Sequence, residues 1–350
     1  GGNNTAIGYN ALNSAITTSN TVAIGSSAMS TYTGSGNMIF VGSTYTGYNI
    51  PNNASRSVVI GSQVSVLGSA ISSGNVSIGY QVGGLSGSDN VTIGTYARGE
   101  TSSLMSGNVT IGRFASIAEW GDITQATAIG FQANGYASYS VSLGSGAEVR
   151  STGTNSLAIG TVSKVTGANN VAIGYSSGVD YLNAVASTGC VSIGPLARSQ
   201  GTNSIAIGNS TVVTGSNSIV IGPSTTVASS NSVTLGSSSH TVYNMFTANW
   251  TNVSDARDKE DITALDLGLG LINKLRPVKF KWNLRDGGRV GDADSGFIAQ
   301  EVLNAVGLEA NSHLRLVDTT DPEQLRISSS YLIPVLVNAV NELTAELELL

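Results

Sequence analysis

Ile205-Ala206-Ile207-Gly208 is followed fourteen residues later by Ile219-Val220-Ile221-Gly222, and after fourteen more by Val233-Thr234-Leu235-Gly236. The same phrase closes on glycines 8, 25, 42, 61, 79, 94, 112, 130, 144, 160, 174, 194, 208, 222 and 236, which makes fifteen copies at spacings of 14 to 20. Fourteen is the unit, and longer intervals carry insertions of one to six residues. Repeats this short read as a solenoid. The residue before the glycine is Ile in twelve copies, and the residue three before is apolar in all but Thr5 and Thr127. Between them stands Ala, Ser or Thr, except at Phe40, Val59 and Val220. Large-small-large is strand alternation, with large side chains on one side and small ones on the other, and Gly supplies the turn that follows. Each coil is expected to bury about two β-branched side chains, at roughly 1.5–3 kcal/mol apiece, and to become stable only by stacking. Fifteen coils at ~4.8 Å give a rod of about 70 Å. Its small-residue face, lined by Ala23, Ala128, Ala158, Ala172 and Ala206, is expected to pack against identical chains as a homotrimer.

Composition agrees with a strand-rich fold. Of 350 residues 43 are Gly, and charged residues make up 11%, against roughly 25% in ordinary domains. Collagen is excluded by 6 Pro and the lack of a glycine every third position, and a membrane-spanning helix by the lack of an apolar run near ~20 residues. Residues 1–236 carry six basic and six acidic side chains; the rest of the chain carries ten basic and sixteen acidic, so the net charge of −6 lies there. Two unlike domains are joined, 1–236 and 254–350, through a linker at 237–253, and neither has a basic stripe for nucleic acid. Cys190 is the single cysteine, expected as a small buried side chain or as one that meets its copies about a trimer axis. The chain opens inside a repeat, as a fragment would.

The repeats resemble the head repeats of trimeric autotransporter adhesins over nearly all of residues 3–236. The resemblance implies a left-handed parallel β-roll of three chains wound about one axis. The sequence departs from those adhesins in its frequent insertions, and a C-terminal membrane barrel is not expected.

After Gly236 the phrase stops, and Ser254-Asp255-Ala256-Arg257-Asp258-Lys259-Glu260-Asp261-Ile262 begins a different pattern. With 275–282 (LRPVKFKW), 296–302 (GFIAQEV) and 331–336 (YLIPVL), it resembles the intramolecular chaperone domain of phage tailspikes and tail fibres, in the family's order. The resemblance implies a smaller α+β domain in which Ser254 is the nucleophile and Lys259 its general base. The bond cut would be Val253–Ser254, with Asp255 and Arg257 holding the turn. The chemistry is sound on its own terms: a Ser hydroxyl needs a base, and a desolvated Lys can be one. Without the resemblance, Ser and Lys here read as a helix cap and a solvated face. Ile333, Leu336, Val340, Leu343, Leu347 and Leu350 follow a 3-4-3-4-3 spacing, which predicts a coiled-coil helix over 331–350, with a helix packed on its own domain as the alternative.

Other sites carry less. Glu119 and Asp122 flank Trp120 in an insertion, a weak glycosidase pair, whereas Trp120, Tyr45, Tyr48, Tyr136 and Tyr139 are candidate receptor-binding residues or else cap coil edges. Asp286, Asp292 and Asp294 read as a hairpin turn rather than a calcium loop, and His240 and His313 are isolated. No metal or cofactor is expected. The reading is a mainly β fold of about fifteen solenoid coils followed by a chaperone: a phage tail fibre or tailspike on the virion, or a cell-surface or other viral adhesin. Its partners would be its own copies, other tail proteins and a bacterial surface glycan or protein, without membrane insertion. Its one enzymatic act would be a single self-cleavage.

Overall fold

The computed structural model describes residues 2–14, 17–34, 36–43, 55–64, 73–83, 87–99, 105–117, 123–179, 187–237, 254–285 and 289–349. The chain divides into two compact units, Gly1–Ser237 and Ser238–Leu350.

The first unit is a parallel β-solenoid. Fifteen short strands, from Thr5–Ile7 to Val233–Leu235, form one sheet in sequence order, each supplied by one copy of the phrase. Nine two-residue strands, from Arg98–Gly99 to Thr226–Val227, form a second parallel sheet. A fourteen-residue coil is a strand (Ile205–Ile207), a turn at Gly208, a second strand (Val212–Val213), and a return to Ile219–Ile221. The sheets stack in register, so that Ile78 pairs with Ile60 on one side and Ile93 on the other. In the 94–112, 112–130 and 174–194 intervals the residues beyond the fourteen-residue unit come in sequence after the second-sheet strands that end at Gly99, Ile117 and Val179. The closing glycine is obligatory: at Gly61 φ is +137°, and an added Cβ would lie 1.8 Å from the carbonyl oxygen of Gly79 in the next coil.

The two sides of the strand are the reverse of the expectation above. Ala23, Ala128, Ala158, Ala172 and Ala206 have no exposed surface and face the coil interior, while the flanking Val and Ile point outward. The small residues therefore cannot contact another chain. The cause is coil size. In the fourteen-residue coils the sheets stand close, and the first offers side chains no larger than Val against Val from the second, as where Ala158 and Ala172 cluster with Val149 and Val165, and Val220 with Val213. Between Gly25 and Gly61, where spacings reach 17 and 19, the interior admits Phe40 with Met29, Tyr32 and Met38. Outside, stacked Val and Ile form an apolar stripe on which Ile7, Ile39, Leu143, Ile193, Ile221 and Leu235 are exposed.

Many polar interior groups are satisfied rung by rung, although the buried hydroxyls of Ser77 and Ser163 find no hydrogen-bond partner among the described residues. The Asn that precedes many phrases is a ladder: Asn90 N–H donates to Asn75 Oδ1 (2.9 Å), Asn108 N–H to Asn90 Oδ1 (3.0 Å) and Ala126 N–H to Asn108 Oδ1 (2.8 Å). Cys190 belongs to this interior. It is wholly buried, its Sγ 3.0 Å from the Gly201 carbonyl oxygen, so it does not approach its copies about an axis.

The second unit is a small α+β domain. Its helices are α1 (Leu269–Ile272), α2 (Ala299–Val306), α3 (Leu308–Leu314) and α4 (Leu332–Glu348). Val278–Lys281 pairs antiparallel with Ala293–Gly296, and Val317–Asp318 with Arg326–Ile327. Leu271, Val302, Leu314, Leu316, Val317, Leu332 and Val335 form the core. The hairpin reading of the aspartates holds. Asp294 accepts from Trp282 Nε1 (3.0 Å) and pairs with Arg289; Asp286 lies outside the described residues. Among the described residues no His, Cys, Asp and Glu cluster could hold a metal, and no helix is long and apolar enough to cross a membrane.

Candidate functional site

Ser254, Asp255, Arg257 and Lys259 meet at a single turn of 3-10 helix, Ala256–Asp258. Asp255 is its N-cap: the carboxylate accepts from the Arg257 backbone N–H (2.9 Å) and from its guanidinium Nε (3.0 Å) and Nη2 (2.6 Å). That grip holds Asp255 below the ordinary carboxylate range, chiefly through the Arg257 side chain, and raises Arg257. The backbone N–H of Lys259 closes the turn on the Ala256 carbonyl (3.3 Å). The five-residue return brings Lys259 Nζ to 2.6 Å from Ser254 Oγ and 3.2 Å from the Ser254 carbonyl oxygen. The two residues expected as nucleophile and base are thus at hydrogen-bond distance. Both are exposed. Val253 lies outside the described residues.

Helix α4 has two working faces. Leu332, Val335 and Ala339 are buried in the unit's own core. On the same side Asn338 Nδ2 donates to the carbonyls of Leu265 (2.9 Å) and Leu267 (3.2 Å), and Glu342 Oε2 accepts the first free N–H of α1, that of Leu269 (2.7 Å). The heptad seam is another side. Ile333, Leu336, Val340, Leu343 and Leu347 are exposed, Leu347 by 72%, so packing on its own domain and an apolar seam coexist. Leu350 lies outside the described residues.

Of the candidate receptor-binding residues, Tyr45, Tyr48 and Trp120 lie outside the described residues, as do Glu119, Asp122 and His240. Tyr136 is half-buried beside the second sheet, and Tyr139 is exposed in a left-handed turn (φ 57°). His313 stands alone on α3. Sequence reasoning passed over Asn338 and Glu342, whose partners are more than seventy residues away. It also passed over the exposed rings Tyr80, Phe114 and Phe131 and the half-buried Tyr96, although all four fall one or two residues after a closing glycine.

A stacked solenoid with an outward apolar stripe and a helical module that sets a Ser beside a Lys fit a fibre or adhesin with a chaperone domain. Comparison with known proteins agrees on both units. Residues 254–310 match the family model described as chaperone of endosialidase, and residues 151–177 and 191–211 match two copies of the YadA head domain repeat. No curated protein matches the chain.

Proposed function

We propose that the chain belongs to a homotrimeric, receptor-binding phage tail fibre or tailspike, whose C-terminal unit gathers three chains and then removes itself by cleavage between Val253 and Ser254. The observation that carries the reading is the 2.6 Å approach of Lys259 Nζ to Ser254 Oγ. In the cut, Ser254 Oγ attacks the carbonyl carbon of Val253 and loses its proton to the neutral Lys259 amine. The C–N bond breaks, the proton passes to the departing Ser254 nitrogen, and an ester links Val253 to Oγ. Water then hydrolyses that ester, leaving a carboxylate on Val253 and a free N-terminus and hydroxyl on Ser254. Desolvation favours a neutral amine, and the pair is exposed in the single chain. Assembly that covers it would therefore license cleavage.

Two apolar surfaces support the trimer: the Val and Ile stripe of the solenoid and the α4 seam, each too exposed to be at rest in water. A C-terminal clamp has a physical purpose. In-register winding of long parallel stacks is slow and non-local, and tethering raises the effective concentration of the chains while they pair. The adhesin repeats suggest an extracellular or surface-exposed protein, and equally support a cell-surface or other viral adhesin with the same chaperone. The receptor would be a bacterial surface glycan or protein, and other tail proteins would anchor the fibre.

Purified wild-type protein should yield a fragment beginning at Ser254 by mass spectrometry and a trimeric mass for the remainder. Ser254→Ala and Lys259→Met should each remain one band on a denaturing gel. Cleavage that continues in Ser254→Ala rejects the assignment.

A further inference from the structure

Tyr80, Tyr96, Phe114 and Phe131 occupy four consecutive rungs of the solenoid and form a ladder of rings. Centroids are 5.8, 5.1 and 6.1 Å apart, the middle pair stacked at 10° and the outer contacts edge-to-face. The rings are held by backbone bonds between rungs, such as Tyr96 N–H to the Tyr80 carbonyl at 2.9 Å. The coil does not require them. The same two positions after the closing glycine hold Ser145 and Gly146, Asn209 and Ser210, or Pro223 and Ser224 in other coils. Tyr96 (φ 57°) and Phe114 (φ 59°) even adopt the left-handed backbone that bulky side chains disfavour and that Gly146 accepts freely. Tyr80, Phe114 and Phe131 are nonetheless 41%, 37% and 44% exposed. The Arg113 guanidinium sits 4.6 Å from the centre of the Phe114 ring, and a second exposed cation, Arg98, follows two residues after Tyr96. Among the described residues neither arginine is ion-paired, whereas Arg150 and Lys164 share Glu148.

We infer that this ladder, with Arg113 and Arg98, is the binding site of an acidic oligosaccharide; the inference rests on the receptor-binding reading above and names its ligand class and place. Ring faces and edges stack against the C–H surface of pyranose rings, and a guanidinium pairs with a carboxylate in two-point fashion. Both are preset on a rigid scaffold, so little ordering is lost on binding. A ladder that repeats with the rung spacing, ~4.8 Å, suits an extended polymer rather than one sugar. The rival occupant is a second copy of the chain, because Tyr80 shares the outward side of its strand with Val76 and Ile78. A stacked but unpaired guanidinium is costly inside a dry protein interface and well suited to an open rim. That favours the glycan.

The test is a printed array of acidic and neutral bacterial polysaccharides probed with labelled full-chain protein, its mass measured in parallel. The variants borrow residues from the chain's own plain coils, Phe114→Ser and Phe131→Asn, together with Arg113→Gln. Wild type should bind uronate- or sialate-bearing glycans. Both ring variants should lose about tenfold or more, the range of an interface hot spot. Arg113→Gln should weaken acidic glycans only, with the oligomeric mass unchanged throughout. Binding by the ring variants equal to wild type overturns the site, as does loss of oligomeric mass, which would make the ladder a contact between copies. Capture of bacterial cells without binding to any arrayed polysaccharide overturns the glycan class and leaves the receptor reading standing. Binding to neither cells nor glycans overturns the receptor reading itself.

Discussion

Ala172 has no exposed surface and stands in the strand Val171–Ile173, between Ala158 and Ser192 of adjacent coils and clustered with Val149 and Val165. Ala172→Leu places three additional carbons in that interior. Overpacking by a methylene or so costs about 1–3 kcal/mol. The walls here are tied to their neighbours by bonds such as Gly174 N–H to Ile159 O and Gly194 N–H to Ile173 O, both 2.8 Å, so the coil cannot widen without breaking them. The upper end, about 3 kcal/mol, applies, and it corresponds to a rise on the order of 100-fold in local opening. Because each coil contacts only its neighbours, the loss should be confined to adjacent rungs. Hydrogen exchange followed by mass spectrometry should show amides in 157–179 and 191–194 exchanging about 100-fold faster, with 219–236 unchanged. Ile173→Ser, on the outward side, should leave exchange in the dilute single chain nearly as it was. If Ala172→Leu is silent while Ile173→Ser opens the coil, the inside and outside of the strand have been assigned the wrong way round.

Ile193→Ser with Ile221→Ser should weaken assembly instead: each side chain is about 40% exposed, so each has roughly 1 kcal/mol of burial left to gain per copy. Sedimentation should show dissociation with intact coils, and a trimer of unchanged stability would show that the stripe is not the interface. Val340→Asp with Leu343→Asp should abolish association through α4 without melting the second unit, whose core uses Leu332, Val335 and Ala339; loss of the unit's helical signal would contradict the two-face assignment. Glu342→Ala leaves the Leu269 N–H uncapped and should cost about 1 kcal/mol, seen as a Tm lower by several degrees for the second unit's transition. Asp255, Asp294 and Asp318 are held below the ordinary carboxylate range, chiefly by the Arg257 side chain, the Trp282 indole and the Thr320 N–H respectively. Their contribution is complete above the unfolded carboxylate value near pH 4 and is lost as pH falls through the lowered folded values. The second unit's Tm should stay level from pH 6 to about 4 and drop below it; a Tm that rises on acidification would contradict the sign.

The repeat was legible because solenoid contacts are nearly local in register: a phrase that recurs states both strand and turn, and fifteen copies, twelve of them ending in Ile-Gly, leave little else. The Asp255 cap was legible for the same reason, but the pairing of Ser254 with Lys259 came from the resemblance to the chaperone family, since those residues alone read as a helix cap and a solvated face. Alternation alone, however, says that Ala172 and Ile173 face opposite ways and is silent on which way is in. That was decided by the distance between the two sheets, a property of coil length and of the Val side chains opposite, and it sends the larger residues outward. The α4 heptad likewise marked an apolar seam but not the second face that Asn338 and Glu342 fasten to residues 265–269, because those partners lie seventy residues upstream. Period, turn and cap belong to the sequence because they depend on neighbours along the chain. Facing, and with it the surface left for other molecules, belongs to tertiary structure, because it depends on what stands across the gap.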